Sequence, residues 1–153
     1  MKIIVISDTH GNIRAIEEVA RNNSDAYIIL HLGDGIKDIK AADRNDIGFV
    51  AVKGNCDRSY SDEYEEETLC IDLDGIRIMM THGHRYSAKI TKDLLLSQAL
   101  KEHADICLFG HTHIMHDDVQ IGVRLLNPGF LGYDGTYIIL DKDNGIQVKF
   151  EKI

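Results

Sequence analysis

The sequence predicts a mixed α/β fold in which two β-sheets pack face to face and helices lie outside them. The first third of the chain alternates strand and helix signals, which is typical of parallel strands joined by right-handed crossovers. The later strand signals are separated by glycine-containing turns, which favour antiparallel pairing. The length of 153 residues fits one domain.

Five elements are predicted in the first third of the chain. Lys2–Ser7 is a short run of β-branched residues, which indicates a buried strand. Ile13–Asn22 has apolar residues at helical spacing, and Asn12 before it is of a type that commonly caps a helix. The other three are a strand, a short helix and a strand, at Ala26–Leu32, Ile36–Ala42 and Ile47–Val52.

The middle of the chain combines a polar segment with a hairpin. Ser59–Glu67 is polar and acidic, which is typical of an exposed loop or lid. The strand signals at Leu69–Leu73 and Ile76–Thr81 flank Asp74-Gly75, which favours a two-residue hairpin turn.

The last part of the chain is predicted as one helix followed by five strands. The helix spans Lys89–His103, and its apolar face is expected to include Ile90, Leu94, Leu95, Leu100 and Ala104. The strands are predicted at Ile106–Phe109, Met115–Gln120, Val123–Leu126, Thr136–Leu140 and Ile146–Lys152. Asn144-Gly145 is the turn signal between the last two strands.

Composition narrows the class of protein. No apolar run approaches the roughly 20 residues of a membrane helix, and the apolar segment after Met1 is too short for a signal peptide, so we expect a cytoplasmic protein with no membrane partner. The three cysteines form no C-x-x-C pair, which disfavours a disulfide framework. A formal net charge of −8 disfavours a nucleic-acid partner. The oligomeric state is left open, because exposed strand edges would allow two copies of the chain to pair as a homo-oligomer.

Residues of the types that bind metals are concentrated in five loops that each follow a predicted strand. Ligands of open α/β sheets bind outside the carboxyl ends of the strands, so we expect these loops to converge. Glycine in or beside each loop permits the sharp turns that convergence needs. The loops are Asp8-Thr9-His10-Gly11-Asn12, Gly33-Asp34, Gly54-Asn55-Cys56-Asp57, Thr81-His82-Gly83-His84 and Gly110-His111-Thr112-His113.

The loops together offer two carboxylates, four imidazoles and one amide, which is more than one ion needs. These groups belong to Asp8, Asp34, His10, His82, His111, His113 and Asn55. Mixed nitrogen and oxygen ligands suit Mn²⁺, iron, Zn²⁺ or Ni²⁺ better than Ca²⁺. Two ions about 3.5–4 Å apart with one bridging carboxylate would use the whole set, as in phosphoester displacement. A single histidine after a strand is more often structural, so the joint pattern carries this prediction.

The five motifs resemble those of the calcineurin-like metallophosphoesterase superfamily, and within it the small YfcE-type phosphodiesterases. The resemblance runs from Lys2 to about Gly129. It implies that residues 1–153 form one metallophosphoesterase domain, a four-layer αββα sandwich of two mixed β-sheets flanked by helices. It also implies that Asp8, His10 and His113 hold one metal, that Asn55, His82 and His111 hold the other, and that Asp34 bridges them. Mn²⁺ is the first expectation for the two divalent ions, with Ni²⁺, Zn²⁺, Fe²⁺ or Mg²⁺ as alternatives.

The resemblance further implies hydrolysis of a small phosphorylated substrate by a water or hydroxide that the two metals share. In many members of the superfamily the asparagine motif continues with a histidine that can protonate the leaving group. Cys56 stands there in this chain, as in the YfcE-type pattern, and a thiol is a weak donor, so we expect a phosphodiesterase that favours good leaving groups. His84 either acts as the acid instead or orients a neighbouring ligand. The predicted catalytic residues are therefore Asn55, Cys56 and His84.

Other residues near the motifs are weaker candidates. Three arginines are close enough in sequence to contact phosphate, although each is more simply read as solvated: Arg14, Arg58 and Arg85. Asp57 is expected to orient the asparagine loop. His31, His103 and His116 are expected to be structural or on the surface. Phe130 replaces the serine that often follows the family turn Asn127-Pro128-Gly129, and this change is expected to reshape the substrate pocket.

Three other functions compete with a phosphodiesterase. A phosphomonoesterase, including a protein phosphatase, differs mainly in the histidine that Cys56 replaces. A non-catalytic protein-interaction scaffold is a second alternative, because the retromer subunit of this fold serves as such a platform; a scaffold tolerates loss of ligands, whereas all seven are present here. A nuclease ranks low because the chain is acidic.

Overall fold

The structure is a computed structural model that describes residues 1–57, 66–143 and 145–153. Its elements follow in the order β1 (Lys2–Ile6), α1 (Ile13–Asn22), β2 (Ile28–His31), α2 (Ile36–Ala41), β3 (Gly48–Ala51), β4 (Thr68–Leu73), β5 (Ile76–Thr81), a 3₁₀ helix (His84–Tyr86), α3 (Asp93–Lys101), β6 (Ile106–Phe109), β7 (His116–Gln120), β8 (Val123–Asn127), α4 (Leu131–Asp134), β9 (Thr136–Asp141) and β10 (Gln147–Lys152). The 3₁₀ helix and α4 had no counterpart in the predicted elements.

The strands form two mixed sheets of five strands each. The first has the order β10-β9-β1-β2-β3, with β1, β2 and β3 parallel and β9 antiparallel to both of its neighbours. The second has the order β4-β5-β6-β8-β7, with β5, β6 and β8 parallel and hairpin partners at both edges. Asp74 and Gly75 both have positive φ in the β4–β5 turn, as a type I′ hairpin requires.

Alternation along β1 explains the layered packing. Ile3 and Val5 point into a core that they share with residues of the second sheet, such as Ile78 in β5 and Leu108 in β6. Ile4 and Ile6 point the other way, into a core shared with α1 and α2. The helix α3 covers the outer face of the second sheet through Leu95 and Ala99. Two mixed sheets flanked by helices confirm the predicted fold class.

The prediction for α3 was wrong in its start and in three of the five residues of its apolar face, whereas Leu95 and Ala104 are buried as predicted. The helix begins at Asp93 rather than Lys89, and the amide of Asp93 donates to Thr91 Oγ1. Ile90 is 87% exposed, and Leu94 and Leu100 are exposed as well. Residues 84 to 91 form the 3₁₀ helix and a turn in which the amides of Ile90 and Thr91 donate to Ser87 O, so α3 starts four residues later than predicted.

Two predicted segments fall largely outside the described residues. These are the loop at Ser59–Glu67, of which only residues 66 and 67 are described, and the Asn144-Gly145 turn, of which Gly145 is described. Within the described ranges, no helix is both long and apolar enough to cross a membrane. All three cysteines are free in the structure.

Candidate metal centre

The five loops meet at one edge of the molecule, beyond the carboxyl ends of β1, β2, β3, β5 and β6. Backbone hydrogen bonds tie them together. Asp8 N donates to Gly33 O at 3.0 Å, His10 N donates to Asp34 O at 3.2 Å, and Gly110 N donates to His82 O at 3.1 Å. Backbone hydrogen bonds therefore hold the loops in the convergent arrangement that the sequence predicted.

One group of candidate ligands consists of Asp8, His10 and His113. Their ligand atoms all lie within 4.8 Å of one another. His113 Nε2 is 3.1 Å from Asp8 Oδ1, and His10 Nε2 is 3.7 Å from the same oxygen. His10 Nε2 is also 3.8 Å from Asp34 Oδ2, so this ring lies between the two carboxylates. One carboxylate and two imidazoles thus surround a space of the size that an ion requires.

A second group consists of Asp8, Asp34 and His82, again with ligand atoms within 4.8 Å of one another. His82 Nδ1 lies 2.8 Å from the carbonyl oxygen of Leu32. A carbonyl oxygen only accepts, so Nδ1 carries the hydrogen and Nε2 presents its lone pair in the neutral ring. His82 Nε2 lies 3.3 Å from Asp34 Oδ2, yet it is a buried atom without a hydrogen bond among the residues that the structure describes. The lone pair of His82 Nε2 is therefore available to bind a metal ion.

His111 lies beside His82, and Asn55 belongs to the loop that follows β3. The ring of His111 is 5.0 Å from that of His82, and burial, assisted by the positive charge of a protonated His82, lowers the pKa of His111 to about 4. His111 is therefore neutral at physiological pH. Asn55 Oδ1 is buried and has no hydrogen-bond partner in the described part of the chain, although Asn55 Nδ2 lies 3.5 Å from Cys56 Sγ. After His82 Nε2, Asn55 Oδ1 is thus a second buried acceptor atom that receives no hydrogen bond from the described residues.

Each of the two carboxylates is held by one oxygen and presents the other to the site. Asp8 Oδ2 accepts hydrogen bonds from Ser7 Oγ at 2.5 Å and from His111 N at 3.1 Å. Asp34 Oδ1 accepts one from Cys56 N at 2.8 Å. Burial alone would raise the pKa of Asp34, but interactions with His82 and the Cys56 amide outweigh it and hold this pKa below its usual value. Two buried negative charges side by side call for a cation.

Backbone conformation marks the same residues. Asp8, His10, Asp34, His111 and His113 all have positive φ, between 44° and 67°. This left-handed region is uncommon for residues other than glycine. Strained conformations of this kind persist where the surroundings impose them, typically at functional sites. The sequence carried no signal for this feature.

Two further aspartates hold the loops in place. Asp57, expected to orient the asparagine loop, accepts amide hydrogens from Gly54, Asp34 and two residues after Asp34, so it joins the loops that follow β2 and β3. Sequence reasoning missed Asp38, on α2, whose Oδ2 accepts from Thr9 Oγ1 at 2.5 Å and from Gly11 N at 2.8 Å. The signal available in the sequence was an aspartate in the first turn of the predicted helix Ile36–Ala42.

The predicted catalytic side chains have different surroundings. Cys56 is exposed and lines a cleft of about 190 Å³ with His10 and Asp34. Burial and the nearby Asp34 raise the pKa of its thiol, so it remains protonated at neutral pH. His84 lies at the other side of the ligand cluster, with Nε2 3.6 Å from Glu67 Oε1. Burial, followed by the charge of His82, lowers the pKa of His84.

The weaker candidates are distributed as follows. Arg85 is paired with Glu67, at 2.7 Å from its Nε to the carboxylate, and Arg14 is exposed. Arg58 lies outside the described residues. His31 is buried, and its Nδ1 accepts from Gly33 N at 3.1 Å, in keeping with a structural role. Burial lowers the pKa of His31 to about 4.

Comparison with known proteins agrees with this geometry. The family model of the calcineurin-like phosphoesterase superfamily domain matches residues 1–145. A "Probable metallophosphoesterase" from Mycoplasma pneumoniae is 34% identical in an alignment of 134 positions that covers 85% of this chain and 79% of that protein. "Phosphodiesterase YfcE" from Escherichia coli K12 is 27% identical in an alignment of 170 positions, gaps included, that covers 94% of this chain and 89% of that protein.

A solved structure extends the agreement to the fold. The crystal structure of a conserved protein from Streptococcus pneumoniae, described there as a predicted phosphoesterase, is similar with a TM-score of 0.82 and 29% identity, over 99% of this chain and 88% of that one. The family and the names of the relatives support a phosphoric ester hydrolase. The resemblance inferred from the five motifs is thus confirmed, and the chain belongs to the calcineurin-like phosphoesterase superfamily.

Proposed function

We propose that the chain is a metal-dependent phosphodiesterase that hydrolyses a small-molecule phosphodiester with the help of two divalent metal ions. One observation carries the proposal: the buried carboxylates of Asp8 and Asp34 lie 4.0 Å and 3.3 Å from His82 Nε2, a buried atom that has no hydrogen-bond partner among the described residues. Acceptor atoms left unpaired in the interior cost free energy that bound cations would recover. The donor set of the site fits such ions.

The proposal includes an assignment of the ligands. Asp8, His10 and His113, whose ligand atoms lie within 4.8 Å of one another, would hold one ion. Asn55, His82 and His111 would hold the other, as the family resemblance implies, and Asp34 would contact both. Asp34 Oδ2 lies near the rings of both His10 and His82, which supports its bridging role. Nitrogen and oxygen ligands without a required thiolate favour Mn²⁺, with Ni²⁺, Zn²⁺, Fe²⁺ or Mg²⁺ as alternatives.

Bound divalent ions supply Lewis acidity, which polarises phosphoryl oxygens and lowers the pKa of water. The chain keeps the ligand oxygens of Asp8 and Asp34 in fixed positions through the amide and hydroxyl donors on their other oxygens. The carbonyl of Leu32 holds the hydrogen of the neutral His82 ring on Nδ1 and so leaves Nε2 available to a ligand. These contacts orient the site before substrate binds, which reduces the reorganisation needed in the transition state.

Proton transfer to the leaving group is assigned to His84, with Cys56 in a minor role. Glu67, 3.6 Å from His84 Nε2, favours a proton on this nitrogen and so counteracts the lowering of its pKa by burial. The thiol of Cys56 has a raised pKa, which makes it both a weak acid and a poor nucleophile. Such a site suits esters with good leaving groups, and we therefore place diesters ahead of monoesters.

Steady-state kinetics would test this function. The Mn²⁺-loaded chain is expected to hydrolyse bis(p-nitrophenyl) phosphate with a higher kcat/KM than p-nitrophenyl phosphate, and EDTA should abolish both activities. A preference for the monoester would favour the phosphatase alternative. Absence of turnover with each of the five metals would favour the protein-interaction scaffold, which needs no bound ion to act. Cytoplasmic location is part of the proposal and is supported by the three free cysteines.

A further inference from the structure

Three rings extend in a row from the candidate metal centre to the protein surface. The ring of Phe130 stacks on that of His113, with centroids 4.3 Å apart and planes at 26°. The ring of Tyr133 continues the row, 6.3 Å from Phe130 and at 28° to it. Phe130 also meets the edge of His10 at 5.5 Å. We call His113, Phe130 and Tyr133 the aromatic array.

The array is fixed to the backbone that carries the candidate ligands. The amide of Leu131 donates to Ser7 O at 3.2 Å, and that of Gly132 donates to Asp8 O at 3.1 Å. A Cβ on Gly132 would lie 2.5 Å from the carbonyl oxygen of Thr9, so only glycine permits this approach. The short helix α4 therefore holds Phe130 and Tyr133 in a constant position relative to Asp8.

The outer end of the array is open. Tyr133 is 86% exposed despite its size, and Ile114 and Met115, also exposed, lie beside His113 at the adjoining cleft. A single exposed tyrosine is ordinary. A tyrosine whose ring continues a stack that begins on a candidate metal ligand is a different case, because a planar group of a substrate held at the metals could lie against it.

We propose that the aromatic array binds a planar aromatic group of the phosphoester substrate. This inference rests on the proposed function, which places the phosphate of the substrate beside His113. Stacking of a nucleobase or an aryl ring on aromatic side chains is tolerant of the identity of the ring and commonly contributes about tenfold or more to affinity. The substitution of Phe130 for serine, noted in the sequence, thereby acquires a role in substrate choice.

Equilibrium binding distinguishes the array from the metal centre. We would titrate adenosine 5′-monophosphate and ribose 5-phosphate separately into the Mn²⁺-saturated full chain by calorimetry. These probes share the sugar and the phosphate and differ in the adenine ring. We expect the adenine nucleotide to bind about tenfold more tightly, with a difference that Tyr133→Leu removes and Tyr133→Phe retains. Tyr27→Leu is the matched control, since Tyr27 is 64% exposed and lies just before β2, at the amino end of that strand and away from the carboxyl ends that carry the site.

A third probe, phenyl phosphate, distinguishes an aryl ester from a nucleotide as the source of the aromatic group. Its ring is joined directly to the phosphate, so its affinity should depend on Phe130 rather than on Tyr133, and Phe130→Leu should weaken it. Equal affinities of the two sugar phosphates for the unmodified chain, binding of neither at millimolar concentration, or a difference that persists in Tyr133→Leu would overturn the proposal. Retained adenine preference without ester hydrolysis would instead contradict the proposed function alone.

Discussion

Replacing Gly54 with alanine would place a methyl group in the space that holds the Asp34 carboxylate. A Cβ at position 54 would lie 2.1 Å from Asp34 Oδ1 and 2.5 Å from the backbone nitrogen of Asp34. Ordinary contacts begin at 3.4 Å, so the carboxylate and its loop must move by more than an ångström. The movement would also stretch the hydrogen bond from Cys56 N to Asp34 Oδ1, now 2.8 Å.

The size of the effect follows from this displacement. Overpacking of this kind costs about 1–3 kcal/mol of unfolding free energy, and loss of the contacts that orient a metal ligand costs roughly 10–100-fold in metal affinity. We expect Gly54→Ala to show both losses when Mn²⁺ is titrated into the metal-stripped chain and when urea unfolding is followed. Gly48→Ala, in β3, is the matched control because a Cβ there meets nothing within 4 Å. Wild-type Mn²⁺ affinity in Gly54→Ala would refute the reasoning.

Three further outcomes are expected. Cys56→His should raise monoester turnover relative to diester turnover in steady-state kinetics, because imidazole is the stronger proton donor; an unchanged ratio would remove Cys56 from the reaction. Burial disfavours the charged form of His82, but its interactions with Asp34 and Asp8 prevail and raise the pKa of His82 above its usual value. The protonated ring cannot bind metal, so Mn²⁺ affinity should fall as pH is lowered from 8 to 5, and a flat titration series would contradict this. Asp38→Ala should lower the unfolding free energy in urea by about 2–4 kcal/mol, because a hydroxyl and a backbone amide lose their acceptor, whereas the exposed Asp118→Ala should change it by less than about 0.5 kcal/mol.

Local sequence patterns predicted the elements well where a single signal determines them. The helix Ile13–Asn22 matches the predicted bounds, and Asn12 Oδ1 caps it by accepting from Ala15 N. The pattern failed at the start of α3, where Ile90 and Leu94 have helical spacing but Ile90 lies in a turn closed by Ser87 O and both side chains are exposed.

The candidate ligands could be predicted because strand ends determine where their loops lie. The left-handed conformations of residues such as Asp34 and the position of Phe130 beside His113 could not, since both depend on contacts between loops that are distant in sequence. Asp38 was missed for the same reason: its partners, Thr9 and Gly11, lie in another loop.

The bridging role of Asp34 is tested most directly by counting bound metal. Elemental analysis and Mn²⁺ titration would be carried out on the unmodified chain, on Asp34→Asn and on His113→Ala. We expect about two ions per unmodified chain, weakened binding at both positions in Asp34→Asn, and one position largely retained in His113→Ala. Equal loss of both ions in the two variants would contradict the bridge, and an unmodified chain that binds no ion at saturating Mn²⁺ would contradict the metal centre itself.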